Sequence, residues 1–197
     1  MNHRALRAVA ALAVTALLVG GCSSAGADTE KKRTPSMDAS AARTKIDALL
    51  DGTTKAIVPA VQFSDDAYTS SENTEGMNDR PDGTTHLSKN RYVMTKVSQA
   101  KYGALLGLVE RYWKSQGYTI TSVNSDDRMP AIDAQAADGV GVHIQIGFPG
   151  NVTLSAGVGA VEDPKTRYPF GPGTPLPTDA KGNQDLLPKV DDPFWSH

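Results

Sequence analysis

Asp133, His143 and Ser155 are residues of the types that build a hydrolytic relay. A carboxylate can orient an imidazole, the imidazole can take a proton from a hydroxyl, and the hydroxyl can then attack an acyl carbon. All three lie in segments that alternate apolar and polar residues, so hairpin register decides which of them meet. A three-residue loop, Ala137-Asp138-Gly139, puts Ile132 opposite Ile144 and Asp133 opposite His143. It also places Gly139 where that loop needs a left-handed residue. A second such loop, Pro149-Gly150-Asn151, with Asn151 left-handed, sets Phe148 opposite Val152 and Gly157 on the far side of His143. Ser155 is then diagonal to His143. Diagonal neighbours stand about 7–8 Å apart, whereas a nucleophile must come within about 3.2 Å of its base. Ser155 also occupies no strand-to-helix elbow that could supply an oxyanion hole. The expectation is a cross-strand Asp–His pair on a wet sheet face. Asp133, His143, Ser155 and Gly157 form a possible surface site there, with no catalytic assignment.

Other chemistry is sparse. The remaining histidines are His3, His86 in an expected loop, and His197 at the end. They make no ligand cluster with a second thiol or an HExxH pattern, so no metal is expected. Asn78, Arg80, Asp82 and Gly83 stand where a calcium loop begins, but Arg80 offers no oxygen and Lys89 replaces the closing glutamate. Gly157-Val158-Gly159 lies inside a strand and is not a phosphate loop. No cofactor is implied.

The positioning elements follow from periodicity. Ala42, Ile46, Leu49 and Leu50 mark one helix face, with Ser36, Asp38 or Ser40 as cap and Gly52 and Pro59 as bounds. Alternation begins at Val61 and returns over Arg91–Val97. Tyr102, Leu105, Leu106, Val109 and Trp113 form a second helical stripe, with Gly117 as its C-terminal cap. Strands are expected near 118–124, 130–136, 140–148 and 152–160. The order α-β-β-α-β-β-β-β implies an α+β fold, an antiparallel sheet covered on one face by two helices. Ser70–Thr85 reads as a long polar connection inside the first hairpin. The sheet's other face is small, with Gly141, Gly147, Gly157, Gly159, Thr153 and Ser155. Strand glycines mark close approach of a backbone or a ligand. Seven of the twelve prolines fall in 164–197 together with Phe170, Leu176, Leu186, Leu187, Phe194 and Trp195. This extended tail is expected to strap across the glycine-lined groove, with Phe170 or Trp195 filling it. Otherwise the groove lies open to a partner.

The first residues address the chain rather than fold it. Arg4 and Arg7 precede Ala8–Val19, an apolar run with the length of a secretory signal and too short to span a bilayer comfortably. It ends in Leu18-Val19-Gly20-Gly21-Cys22, which resembles the lipobox of bacterial lipoproteins. The resemblance implies cleavage before Cys22 and acyl chains on its sulfur. Cys22 is the only cysteine among 197 residues, so no intrachain disulfide forms. Two or more chains hold a protein stably on a membrane where one does not. The expected organisation is a signal peptide over 1–21, Cys22 and a flexible tether over 22–37, an α+β domain over 38–163 and the tail over 164–197.

From Leu105 to Ala160 the chain is similar to small actinobacterial secreted lipoproteins of unknown function. Tyr112-Trp113-Lys114-Ser115-Gln116-Gly117-Tyr118, Ala136-Ala137-Asp138-Gly139-Val140 and Gly150-Asn151-Val152-Thr153-Leu154 carry the similarity. It implies an envelope location and a compact α+β domain, and it brings no catalytic residues. Such proteins often end the last strand in a Cys-bearing segment; this chain has the Pro-rich tail instead.

Composition agrees with a folded domain. Apolar residues make up 39%, which excludes collagen-like, disulfide-framework and polytopic membrane classes. Without Arg4 and Arg7, 18 basic residues face 22 acidic ones, a net −4 that offers nucleic acid no footprint. The expectation is a lipid-anchored protein on the extracytoplasmic face of the cell membrane, acting as a non-enzymatic binding or accessory module of the cell envelope. Its partners would be the membrane, through Cys22, and an envelope protein or cell-wall component. The alternatives are a carrier of a small or lipid ligand between helices and sheet, and a small hydrolase using Asp133 and His143.

Overall fold

A computed structural model describes residues 33–148, 150–162 and 175–197. The signal segment, Cys22, most of the tether, Pro149 and Phe170 lie outside the described residues. No helix among the described residues is long and apolar enough to cross a membrane.

Helix α1 spans Ala39–Lys55. Asp38 caps it by accepting the Ala41 N–H at 2.8 Å, which satisfies one of the orphan donors of the first turn. Ala42, Ile46, Leu49, Leu50 and Thr53 form its buried stripe. Gly52 does not end the helix, as its type suggested. It lies inside the last turn, where a Cβ would stand 2.1 Å from the Tyr112 hydroxyl. Helix α2 spans Tyr102–Ser115 and buries Leu105, Leu106, Val109 and Trp113. It ends at Gly117, φ 77°, with Gly117 N–H donating to Lys114 O and Tyr118 N–H to Trp113 O.

Seven strands follow one another antiparallel: β1 Phe63–Asp65, β2 Thr69–Glu75, β3 Arg80–Val93, β4 Thr119–Asn124, β5 Ala131–Gln135, β6 Gly141–Gly147 and β7 Asn151–Glu162. The sheet order is β1-β3-β7-β6-β5-β4, with β2 also paired to β3. Helix α1 lies over β7 and β3, and α2 over β4 and β5. This is the expected α+β arrangement, with both helices on one face. Trp113, Ile46, Leu50, Leu105, Val109 and Ile144 fill the space between the layers. Trp113 Nε1 donates to Thr53 Oγ1 at 2.8 Å, and that hydroxyl donates to Leu49 O, so the indole N–H and the Thr53 hydroxyl are both satisfied.

Three local expectations are corrected. Ser70–Thr85 is a hairpin: β2 pairs with β3 from Thr69↔Ser88 to Glu75↔Arg80 around a Gly76–Asp79 turn. Its alternation is hidden because β2 is a sheet edge, where backbone pairing rather than apolar burial sets the structure. His86 therefore sits on β3, not in a loop. The loop between β6 and β7 turns one residue early. Ile146 faces Val152, and Gly150 takes the positive φ of 101° that Asn151 was expected to adopt. Glycine meets that requirement without a Cβ penalty.

The tail, third, does not cross the glycine face over its described residues 175–197. Its described part runs beside residues 94–98, where the chain leaves β3. Val190 N–H donates to Met94 O, Lys96 N–H to Val190 O, and Ser98 N–H to Trp195 O. Trp195 is fully buried in the core and donates its indole N–H to Pro59 O at 2.8 Å. A tryptophan needs an apolar bed and one acceptor, and the end of the sheet supplies both.

Candidate functional site

The face opposite the helices is the candidate site. Its rows follow from register. Asp133 faces His143, and His143 faces Ser155, which in turn faces Asn90. In the next row Gln135, Gly141, Gly157 and Ser88 stand side by side. The early turn before β7 causes the difference from the sequence reading. Ser155 is the direct neighbour of His143, and Gly157 has moved opposite Gly141.

Direct opposition does not make a relay. His143 Nδ1 lies 2.7 Å from Asp133 Oδ1, which is the expected pair. The other ring nitrogen lies 3.2 Å from Gln145 Oε1. Ser155 Oγ donates to Asn90 Oδ1 at 2.7 Å, so its proton points away from the imidazole. The backbone of the row is spent on the sheet ladders, which leaves an acyl oxygen no donor pair of the kind an oxyanion hole requires. Among the described residues no group of three or more His, Cys, Asp or Glu is arranged to hold a metal ion.

Together these residues shape an open groove of about 490 Å³, lined by His86, Ser88, Asn90, Asp133, His143 and Ser155 with Gly141 and Gly157 as its floor. The two glycines have different origins. A Cβ on Gly141 would meet nothing closer than the Gly157 carbonyl at 3.8 Å. On Gly157 it would stand 3.0 Å from Leu87 O, 3.1 Å from Ser88 Cβ and 3.4 Å from His86 Cε1. Gly157 thus lets β3 and the His86 ring close over β7, while Gly141 keeps the floor low. Beyond His86 and Gln135 the groove continues into a second depression of about 690 Å³ along Asn73, Gly159 and Ala160, bordered by Arg33 and Ser36. There the chain entering the domain joins the sheet: Ser36 N–H donates to Ala160 O, and Glu162 N–H to Met37 O. At the groove's other end Tyr92 donates to Asp66 Oδ2 at 3.1 Å. Burial, and then the Asp66 carboxylate, raise the Tyr92 phenol above its ordinary value.

Comparisons of the chain with protein-family models, curated proteins and solved structures find no match. The site's chemistry therefore rests on its own geometry.

Sequence reasoning missed His86, because the polar hairpin disguised its strand. It also missed Arg91, which points inward from β3 at 3% exposure. Arg91 holds Asp65 through two nitrogens at 2.5 and 2.9 Å, Asp51 at 2.8 Å and Thr54 Oγ1 at 3.0 Å. The Phe63 ring lies 4.0 Å from its guanidinium. Lys89, two residues back, bridges Asp47 and Asp65 at 3.0 Å each. Burial by itself raises the Asp65 carboxyl; the Arg91 and Lys89 bonds outweigh it and hold Asp65 below the ordinary carboxylate value. With every charge answered, this cluster ties α1 to β1 and β3. Spacing held a signal: an arginine at the inward phase of a strand needs a buried partner.

Proposed function

We propose that this chain is a lipid-anchored extracytoplasmic protein of the cell envelope, whose open sheet face is a non-enzymatic binding surface. The observation that carries the reading is the groove itself. It is polar, floored by glycine and uncovered by the described tail, and its hydroxyl and imidazole are committed to neighbours other than each other. The lipobox-like run ending in Cys22, and the likeness to small actinobacterial lipoproteins, support the location. The entry of the chain beside Ala160 supports a surface continuous with the tether. The ligand class is polar and planar enough to lie on two strands, a peptide or a cell-wall fragment.

The test is cross-linking of the lipidated protein in intact cells, with captured material identified by mass spectrometry. Gly141→Leu fills the floor without touching the ladders and is the blocking variant. Loss of the captured partner in Gly141→Leu is the expected result. Equal capture by both proteins would remove the groove from consideration, and capture of lipid alone would favour a carrier.

The direct opposition of His143 and Ser155 favours a second reading, a small hydrolase built on Asp133 and His143. It requires turnover of an ester probe that disappears in both His143→Ala and Ser155→Ala. Unchanged background hydrolysis in those variants would dismiss it.

A further inference from the structure

The two edges of the sheet are built differently. One edge is interrupted between β1 and β2, is irregular near Asn73 and carries Glu72 and Glu75. Those are devices that blunt an edge against pairing. The other edge is β4, Thr119-Ile120-Thr121-Ser122-Val123-Asn124. It carries no charge and no proline, and it is rich in β-branched residues that favour strands. Only β5 pairs with it among the described residues.

Its single irregularity sets which partner fits. The β4–β5 register shifts between Ile120 and Ser122, so Thr121 is the extra residue. Ile120 and Val123 oppose the buried Ala134 and Ile132 and face the helix side. Thr119 and Ser122 oppose Gln135 and Asp133 on the open side, with Asn124 in the same phase, and Thr121 lines the open groove. Along the strand the facing reads open, helix, open, open, helix, open, and it reads the same from either end. A regularly alternating strand pairs with it only as β5 does, leaving Thr121 unopposed. A second copy of β4 running antiparallel matches the pattern.

We propose that β4 pairs antiparallel with β4 of a second copy of this chain, with Ile120 of each copy opposite Val123 of the other. The pairing is isologous, as two-fold symmetry requires. It covers Val123, which is 58% exposed in the single chain, with the partner's Ile120. The two-fold axis is normal to the sheet, so both open faces look the same way. The grooves then become neighbours across the Thr121 walls.

The experiment uses two versions of the full chain, both carrying Cys22→Ser so that no other thiol is present. One adds Ile120→Cys, the other Val123→Cys. Under a mild oxidant, each alone should stay monomeric on a non-reducing gel, because its cysteine meets no copy of itself across the axis. An equimolar mixture should give a heterodimer band, at least tenfold above either chain alone. Adding Ser122→Lys to both chains should abolish it, since like charges then meet beside the axis. No band in the mixture overturns the proposal. So do equal bands in single chains and mixture, which report random collision. Cross-linking of Val123→Cys to another protein also overturns it and assigns the edge to a foreign strand.

Discussion

Removing the Trp195 indole should cost this protein a large part of its stability, although only Ser196 and His197 follow it in a proline-rich segment. The ring is fully buried and hydrogen-bonded to Pro59 O. A buried tryptophan withdraws roughly 150–250 Å² from water. At about 25 cal/mol per Å² that corresponds to roughly 4–6 kcal/mol. Measured truncations of buried aromatics run about 3–5 kcal/mol, because the surrounding core relaxes in part. The expected cost of Trp195→Ala is therefore about 4 kcal/mol, against a total stability of about 5–15 for a domain. Urea unfolding followed by Trp113 fluorescence reads it directly, since Trp113 and Trp195 are the two tryptophans of the chain. With a slope near 2 kcal/mol/M the midpoint should fall by about 2 M. Phe194→Ala is the control. That ring stacks edge-on against Trp195 but is 41% exposed, so its loss should move the midpoint far less. A Trp195→Ala midpoint within about 0.5 M of the parent protein would refute the reasoning, because a ring that cheap to remove is not part of the core.

Gly52→Ala should destabilise, reversing the usual gain of about 1 kcal/mol for alanine over glycine inside a helix, because the new methyl meets the Tyr112 hydroxyl. Part of the loss should return in the double variant with Tyr112→Phe, read by thermal unfolding. Gly157→Ala should cost about 1–3 kcal/mol through overpacking against Leu87 O, whereas Gly141→Ala should change stability by no more than about 0.5 kcal/mol. Denaturant midpoints of the two proteins separate these outcomes. Acid should weaken the fold through Asp65. Its folded pKa lies below the unfolded carboxylate value of about 3.9, so its contribution is complete above that pH and is lost as pH falls through the folded value. Asp65→Asn should lower stability at neutral pH and flatten the acid limb of a stability–pH curve. An unchanged limb would assign the acid response to other carboxylates.

Legibility tracked the physical origin of each feature. Both helices, the β5–β6 register and the Asp133–His143 pair were readable, because apolar period and turn length set them locally. Gly117 and Gly139 were readable as left-handed residues for the same reason. The β6–β7 turn was not, since Pro149-Gly150-Asn151 offers two neighbouring residues that tolerate positive φ. One residue of slip there exchanged Ser155 and Gly157 beside His143. The β2–β3 hairpin escaped notice because an edge strand shows water on much of its surface and has no apolar rhythm to display.

The sequence alone determined that there is one α+β sheet with helices on one side, and that one face of it is small, polar and rich in glycine. Periodicity suffices for this, because burial on one face is a one-dimensional pattern. Only the tertiary structure decided who shares that face. His86 joins the groove because β3 begins at Arg80, well before the alternation that starts at Arg91. Trp195 abandons the groove because the end of the sheet offers it both an apolar bed and the Pro59 carbonyl. Arg91 faces inward because Asp51 and Thr54 on α1 and Asp65 on β1 converge on it. Each outcome depends on partners distant in the chain, and no local pattern records them.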